Sequence, residues 1–114
     1  CPTEAGSNIV LLTTHMHHHG ETFEVNLVDE ETGAIEPLYL NEDYAHPLTM
    51  EMWDAPILIP EGKSFEWACT YVNATNATVF GGGSAETAEM CIMAAFYWPT
   101  SLIGRVTWNS GHRP

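Results

Sequence analysis

The residues best suited to chemistry sit in one short run, His15-Met16-His17-His18-His19-Gly20. It offers four imidazoles and a thioether, a dense set of metal-ligand atoms. In an extended strand successive side chains alternate faces, so His15 and His17 point the same way and can grip one ion. His18 then falls on the opposite face and His19 returns to the first. Imidazole suits copper, zinc, nickel and iron, so the run does not choose the metal. Tight binding needs at least a third ligand from another strand. The candidates are Met90, Met50, Met52, His46, His19 and the carboxylates.

The elements that must position these groups read as β-strands. Short runs rich in β-branched and aromatic residues alternate with turn clusters. Residues 8–17 form a first strand candidate, with Ile9, Val10, Leu11 and Leu12 leading into the histidines and Gly20 closing it. Residues 22–28 alternate: Phe23, Val25 and Leu27 share one face, and Thr22, Glu24 and Asn26 the other. Residues 29–33 have turn composition. Residues 35–40 form a short strand, in which Pro37 points to an edge position. After a polar loop, residues 49–53 are a further strand candidate. Ile57-Leu58-Ile59 is a short apolar run ended by the turn Pro60-Glu61-Gly62. Residues 64–72 form a strand with Phe65, Trp67 and Cys69 on one face. Gly81-Gly82-Gly83 allows close backbone approach or a bulge. Residues 89–98 are the longest apolar segment, and their aromatics favour strand over helix. Residues 102–108 read as a last strand. Tyr97 and the tryptophans read first as core aromatics, with a substrate wall as the functional alternative.

The chain has 114 residues, 45% of them hydrophobic, which suits one globular domain over residues 1–114. A domain of this length buries roughly two thirds of its unfolded surface. No apolar run approaches the roughly 20 residues of a membrane span. Three Lys and Arg against fifteen Asp and Glu give a formal charge of −12. Nucleic acid and anionic membrane surfaces call for a basic face, so the charge argues against both as partners. An acidic surface keeps a protein soluble and mildly concentrates cations. The chain begins with Cys rather than Met, which reads as a processed or excised chain. Cys1, Cys69 and Cys91 allow at most one intrachain disulfide. Two sequons, Asn73-Ala74-Thr75 and Asn76-Ala77-Thr78, would accept glycans in a eukaryotic secretory pathway.

Several motifs recur in a telling order. His15-Met16-His17 with Gly20 comes first, then Pro60-Glu61-Gly62, then Cys69-Thr70-Tyr71. The glycine-rich stretch from Gly81 follows, leading to Glu89-Met90-Cys91 and the ending Phe96-Tyr97-Trp98-Pro99. This order resembles the second, oxygen-binding domain of the copper type II, ascorbate-dependent monooxygenases, the family of dopamine β-monooxygenase and peptidylglycine α-hydroxylating monooxygenase. The resemblance covers about residues 8–99. It implies that His15, His17 and Met90 are ligands of one copper ion per domain, and that Cys69 and Cys91 are disulfide-bonded. His18 and His19 lie where the family supplies no ligand, with His19 a candidate auxiliary ligand, and His46 matches a family region that also carries a His but reads as a solvated loop residue. A thioether is soft and favours Cu(I), which agrees with the implied metal.

Together with the strand pattern, the expected fold is all-β: an antiparallel β-sandwich of jelly-roll type with about seven to nine strands. The implied activity is hydroxylation of a substrate C–H bond, with O2 and a small-molecule or peptide substrate as partners and ascorbate as external reductant. Such enzymes also carry a first, three-histidine copper domain that delivers electrons. No further group of three histidines remains here, since only His46 and His112 are left over. Full turnover therefore needs an electron-delivering copper domain from elsewhere. Cys1 also lacks its family partner, because residues 102–114 contain no Cys. The competing reading is a non-catalytic copper-binding module for transport, storage or sensing. A structural zinc site ranks third. The implied location is extracellular, secretory-lumenal or periplasmic.

Overall fold

Alternation of apolar and polar residues, the pattern of a strand with one face buried, governs the observed elements. The computed structural model describes residues 7–98, which form nine strands: β1 (Ser7–His15), β2 (Gly20–Asp29), β3 (Ile35–Asn41), β4 (Met50–Glu51), β5 (Ile57–Ile59), β6 (Lys63–Tyr71), β7 (Phe80–Gly81), β8 (Ala88–Glu89) and β9 (Ile92–Trp98). There is no helix among the described residues. In one sheet β1 is central. It pairs antiparallel with β9 along one edge and with β4 and β5 along the other. The second sheet has the order β3-β2-β6, also antiparallel. Strands β7 and β8 form a short parallel pair. The all-β expectation holds; a jelly-roll winding goes beyond what these pairings show.

The two sheets contribute to one apolar cluster. Ile9, Leu12 and Ile59 come from the first sheet, and Phe23, Val25, Leu27, Tyr39 and Phe65 from the second. Phe23, Val25, Leu12 and Ile59 are fully buried. Each such side chain stabilises the fold by about 1.5–3 kcal/mol relative to exposure. Pro37 lies on β3, an edge strand, next to a register shift in its pairing with β2, a position that tolerates proline. Gly33 closes the β2–β3 hairpin at φ 72°, a conformation costly for other residues.

Three sequence expectations change. The strand expected over residues 8–17 ends at His15, because the next residue turns into the core: Met16 is only 3% exposed. The chain then makes a tight turn closed by the Gly20 amide donating to the His17 carbonyl at 3.0 Å. Residues 16–19 thus carry the chain from one sheet to the other. The segment expected over residues 89–98 splits into β8 and β9, with Met90 and Cys91 between them. The candidate over residues 49–53 shortens to Met50–Glu51. The strand expected over residues 102–108, and Cys1, lie outside the described residues.

Two cross-sheet ties reinforce the apolar contact. Cys69 on β6 is disulfide-bonded to Cys91, just before β9, at a sequence separation of 22. Closing such a loop contributes about 3 kcal/mol in the chain-entropy view. Tyr39 on β3 donates its hydroxyl to the Leu48 carbonyl at 2.7 Å and accepts from Thr14 on β1 at 3.0 Å. Burial pushes the Tyr39 pKa above its usual value, so the hydroxyl stays a donor.

Tyr39→Phe leaves the Thr14 hydroxyl and the Leu48 carbonyl short of a partner, and the expected loss is about 1–3 kcal/mol in urea unfolding. Gly20→Ala would place a Cβ 2.8 Å from both Cβ and Sδ of Met16. The Met16 Cβ is fixed to backbone in the core, so overpacking should cost about 1–3 kcal/mol. An alanine variant that unfolds at the wild-type urea midpoint would show that this turn tolerates a side chain.

Candidate metal centre

The corner where the chain changes sheets collects the ligand-type side chains. His15 ends β1, and His17 sits in the following turn, buried at 5% exposure. Their ring centroids are 5.0 Å apart, edge to face. The two imidazoles therefore meet as expected, but by strand end and turn rather than by alternation along one strand. The His17 Nδ1 lies 2.7 Å from the Ala88 carbonyl, which only accepts. Nδ1 must then carry the proton, and the lone pair is on Nε2. Metal-binding histidines are commonly oriented in this way. Burial, then the neighbouring His17, lowers the His15 pKa, with Glu89 acting in the opposite sense. His15 thus stays neutral to lower pH than an exposed histidine.

Met90 reaches the same corner from the other end of the chain. With His15 it lines a cleft of about 460 Å³, whose remaining wall is Thr13, Thr14, Ile92 and Ala94. Three consecutive residues there are anchored to three different places. Glu89 Oε2 accepts the His17 amide at 3.1 Å, and Oε1 accepts the His19 amide at 2.8 Å. The Met90 carbonyl accepts the Tyr71 hydroxyl at 2.6 Å. Cys91 carries the disulfide to Cys69. Burial first, then the Glu89 charge, pushes the Tyr71 pKa up to about 12, so its hydroxyl remains a donor at any ordinary pH. The glycine-rich stretch runs alongside: the Gly82 amide donates to the Glu89 carbonyl at 3.0 Å, and a Cβ at Gly83 would stand 3.7 Å from the Met90 methyl.

Glu89 and Tyr71 stood in the sequence motifs without a role. A signal for Glu89 existed, since a carboxylate flanked by Ala88 and Met90 in an apolar stretch demands hydrogen-bond partners. The Ala88 carbonyl is a main-chain group and leaves no such trace.

The other candidates separate cleanly. His18 and His19 do not fall on opposite faces; the turn sets them side by side, with ring centroids 3.9 Å apart. Their ligand atoms and those of Glu89 lie within 4.8 Å of one another. His46 is an exposed loop residue paired with Asp43 at 3.0 Å. Met16 is core, and Met50, Met52 and Met93 pack partly buried against it. Tyr97 and Trp67 also pack on the core, while Trp53 and Trp98 are exposed.

Two imidazoles and a thioether are donor types that would fit copper and accommodate its reduced state. The sequence matches the family described as copper type II ascorbate-dependent monooxygenase, C-terminal domain, over residues 2–107. Comparison with curated proteins and with solved structures gave no significant match. The match takes in the histidine turn, the glycine-rich stretch and the Glu89-Met90-Cys91 segment, and on it the chain belongs to the copper type II ascorbate-dependent monooxygenases as a C-terminal domain.

Proposed function

We propose that the chain is the oxygen-activating half of a copper- and ascorbate-dependent monooxygenase, holding one copper ion through His15, His17 and Met90. The observation that carries this reading is the cleft shared by His15 and Met90, with the buried His17, its Nδ1 committed to Ala88, beside His15. Copper bound there would supply O2 activation and hydroxylation of a substrate C–H bond, with electrons from ascorbate.

The chain's own residues prepare the place. His17 is held in one tautomer, and partial desolvation lowers the His15 pKa. Met90 contributes the soft donor that favours Cu(I). The cleft wall of Thr13, Ile92 and Ala94 gives an open, largely apolar approach for O2 and a small-molecule or peptide substrate. Among the described residues His18, His19 and Glu89 are the one cluster of at least three His, Cys, Asp or Glu side chains able to hold an ion. Among the described residues no three-histidine cluster accompanies it, and in this reading the electron-delivering copper would come from another domain or a partner. The disulfide suits an oxidising compartment: extracellular, secretory-lumenal or periplasmic. Among the described residues no helix is long and apolar enough to cross a membrane.

Titration with Cu(I) against a competing chelator tests the centre. One equivalent should bind, and Met90→Ala should weaken it at least about tenfold whereas Met50→Ala should not. Undiminished binding by a His15→Ala/His17→Ala variant would place the copper elsewhere. Glu89→Gln keeps one carbonyl acceptor and loses the other, so the turn loosens. Cu(I) affinity is then expected to fall about tenfold with far-UV circular dichroism unchanged. Oxygen uptake with ascorbate and an added three-histidine copper domain separates enzyme from carrier: stoichiometric copper with no product formed would favour transport, storage or sensing.

A further inference from the structure

We propose that His18, His19 and Glu89 form a second metal site, for a divalent transition ion of borderline character such as Zn2+ or Cu2+. The site goes beyond the copper reading and does not depend on it, since it uses neither His15, His17 nor Met90.

The three side chains offer ligand atoms that all lie within 4.8 Å of one another. Ligands about 2.1 Å from a common ion stand up to about 4.2 Å apart, so small side-chain rotations close the set. Each donor is already positioned. The His18 Nδ1 lies 3.0 Å from the Ala85 carbonyl, which assigns the proton to Nδ1 and the lone pair to Nε2. His19 is held at both ends of its peptide units. Its amide donates to Glu89 Oε1 at 2.8 Å, and its carbonyl accepts the Val72 amide at 2.8 Å. The stacked contact between the rings, 3.9 Å between centroids, keeps the two imidazoles together.

Glu89 can serve both the turn and an ion. Each carboxylate oxygen accepts one amide, which leaves lone pairs for coordination. Metal-bound carboxylates are in fact usually hydrogen-bonded. Two imidazoles and one carboxylate leave positions open for water, as in other sites with this ligand set. The donor set contains no sulfur, so it prefers divalent ions to Cu(I), opposite to a centre containing Met90. His18 is exposed, which gives an ion direct access from solvent, and the formal charge of −12 favours its approach.

The test is a Zn2+ titration of the full chain without copper, followed by calorimetry and by histidine ring resonances in NMR. One equivalent should bind with shifts at His18 and His19. His18→Ala alone, an exposed substitution, should weaken Zn2+ at least about tenfold, and His18→Ala/His19→Ala should abolish stoichiometric binding. A His15→Ala/Met90→Ala variant should still bind one Zn2+. The proposal fails if the wild-type chain binds no Zn2+, if His18→Ala binds it as tightly, or if His15→Ala/Met90→Ala loses it. Failure of the copper reading would show separately, as absent Cu(I) binding by the wild-type chain with Zn2+ binding intact.

Discussion

The Glu89 carboxylate, accepting one backbone amide on each oxygen, joins two parts of the chain that are about seventy residues apart. Hydrogen bonds to an ionised acceptor are roughly twice as strong as neutral ones. This pair decides where the histidine turn sits relative to Met90, the very next residue. The bond between the His17 ring and the Ala88 carbonyl adds a third link to the same short strand. Every feature of the corner, the tautomer of His17 included, follows from this docking of a turn onto β8.

The corner is where the chain leaves one sheet for the other, so it is anchored at both ends and still reached from the cleft. Strands β1 and β2 anchor its two ends in different sheets, and Gly20 lets the backbone close against Met16. The disulfide and the Tyr71 hydroxyl then bind the Met90 segment to β6 and its end. Ligand-type side chains are thus held by a scaffold, while the cleft between His15 and Met90 stays open to solvent. A site on a free loop would have to order itself when an ion bound and would lose affinity to that entropy.

The same turn also divides donors by chemical softness. His15 and Met90 line the cleft, with His17 packed against His15, and this group includes sulfur; His18, His19 and Glu89 are nitrogen and oxygen only. A four-histidine run looks uniform as text, yet its members have different neighbours, exposure and hydrogen bonds. Softness, rather than the number of imidazoles, is what would separate the proposed centre for reduced copper from the proposed place for a divalent ion.

Much was legible in the residues themselves. Alternation at Phe23, Val25 and Leu27 identified the buried face of β2, and Pro37 marked an edge strand, because both follow from local backbone geometry. The ordered motifs pointed to the Cys69–Cys91 pairing and to the family. The sequence by itself determined which ligand types are present and that strands would carry them. Only the tertiary structure decided that β1 stops at His15, that His18 and His19 come side by side, and that Glu89 rather than a strand ladder holds the turn. The reason is that these outcomes depend on main-chain groups of distant residues, the Ala85 and Ala88 carbonyls and the His17 and His19 amides. Every residue type carries such groups, so no residue letter announces which of them will meet.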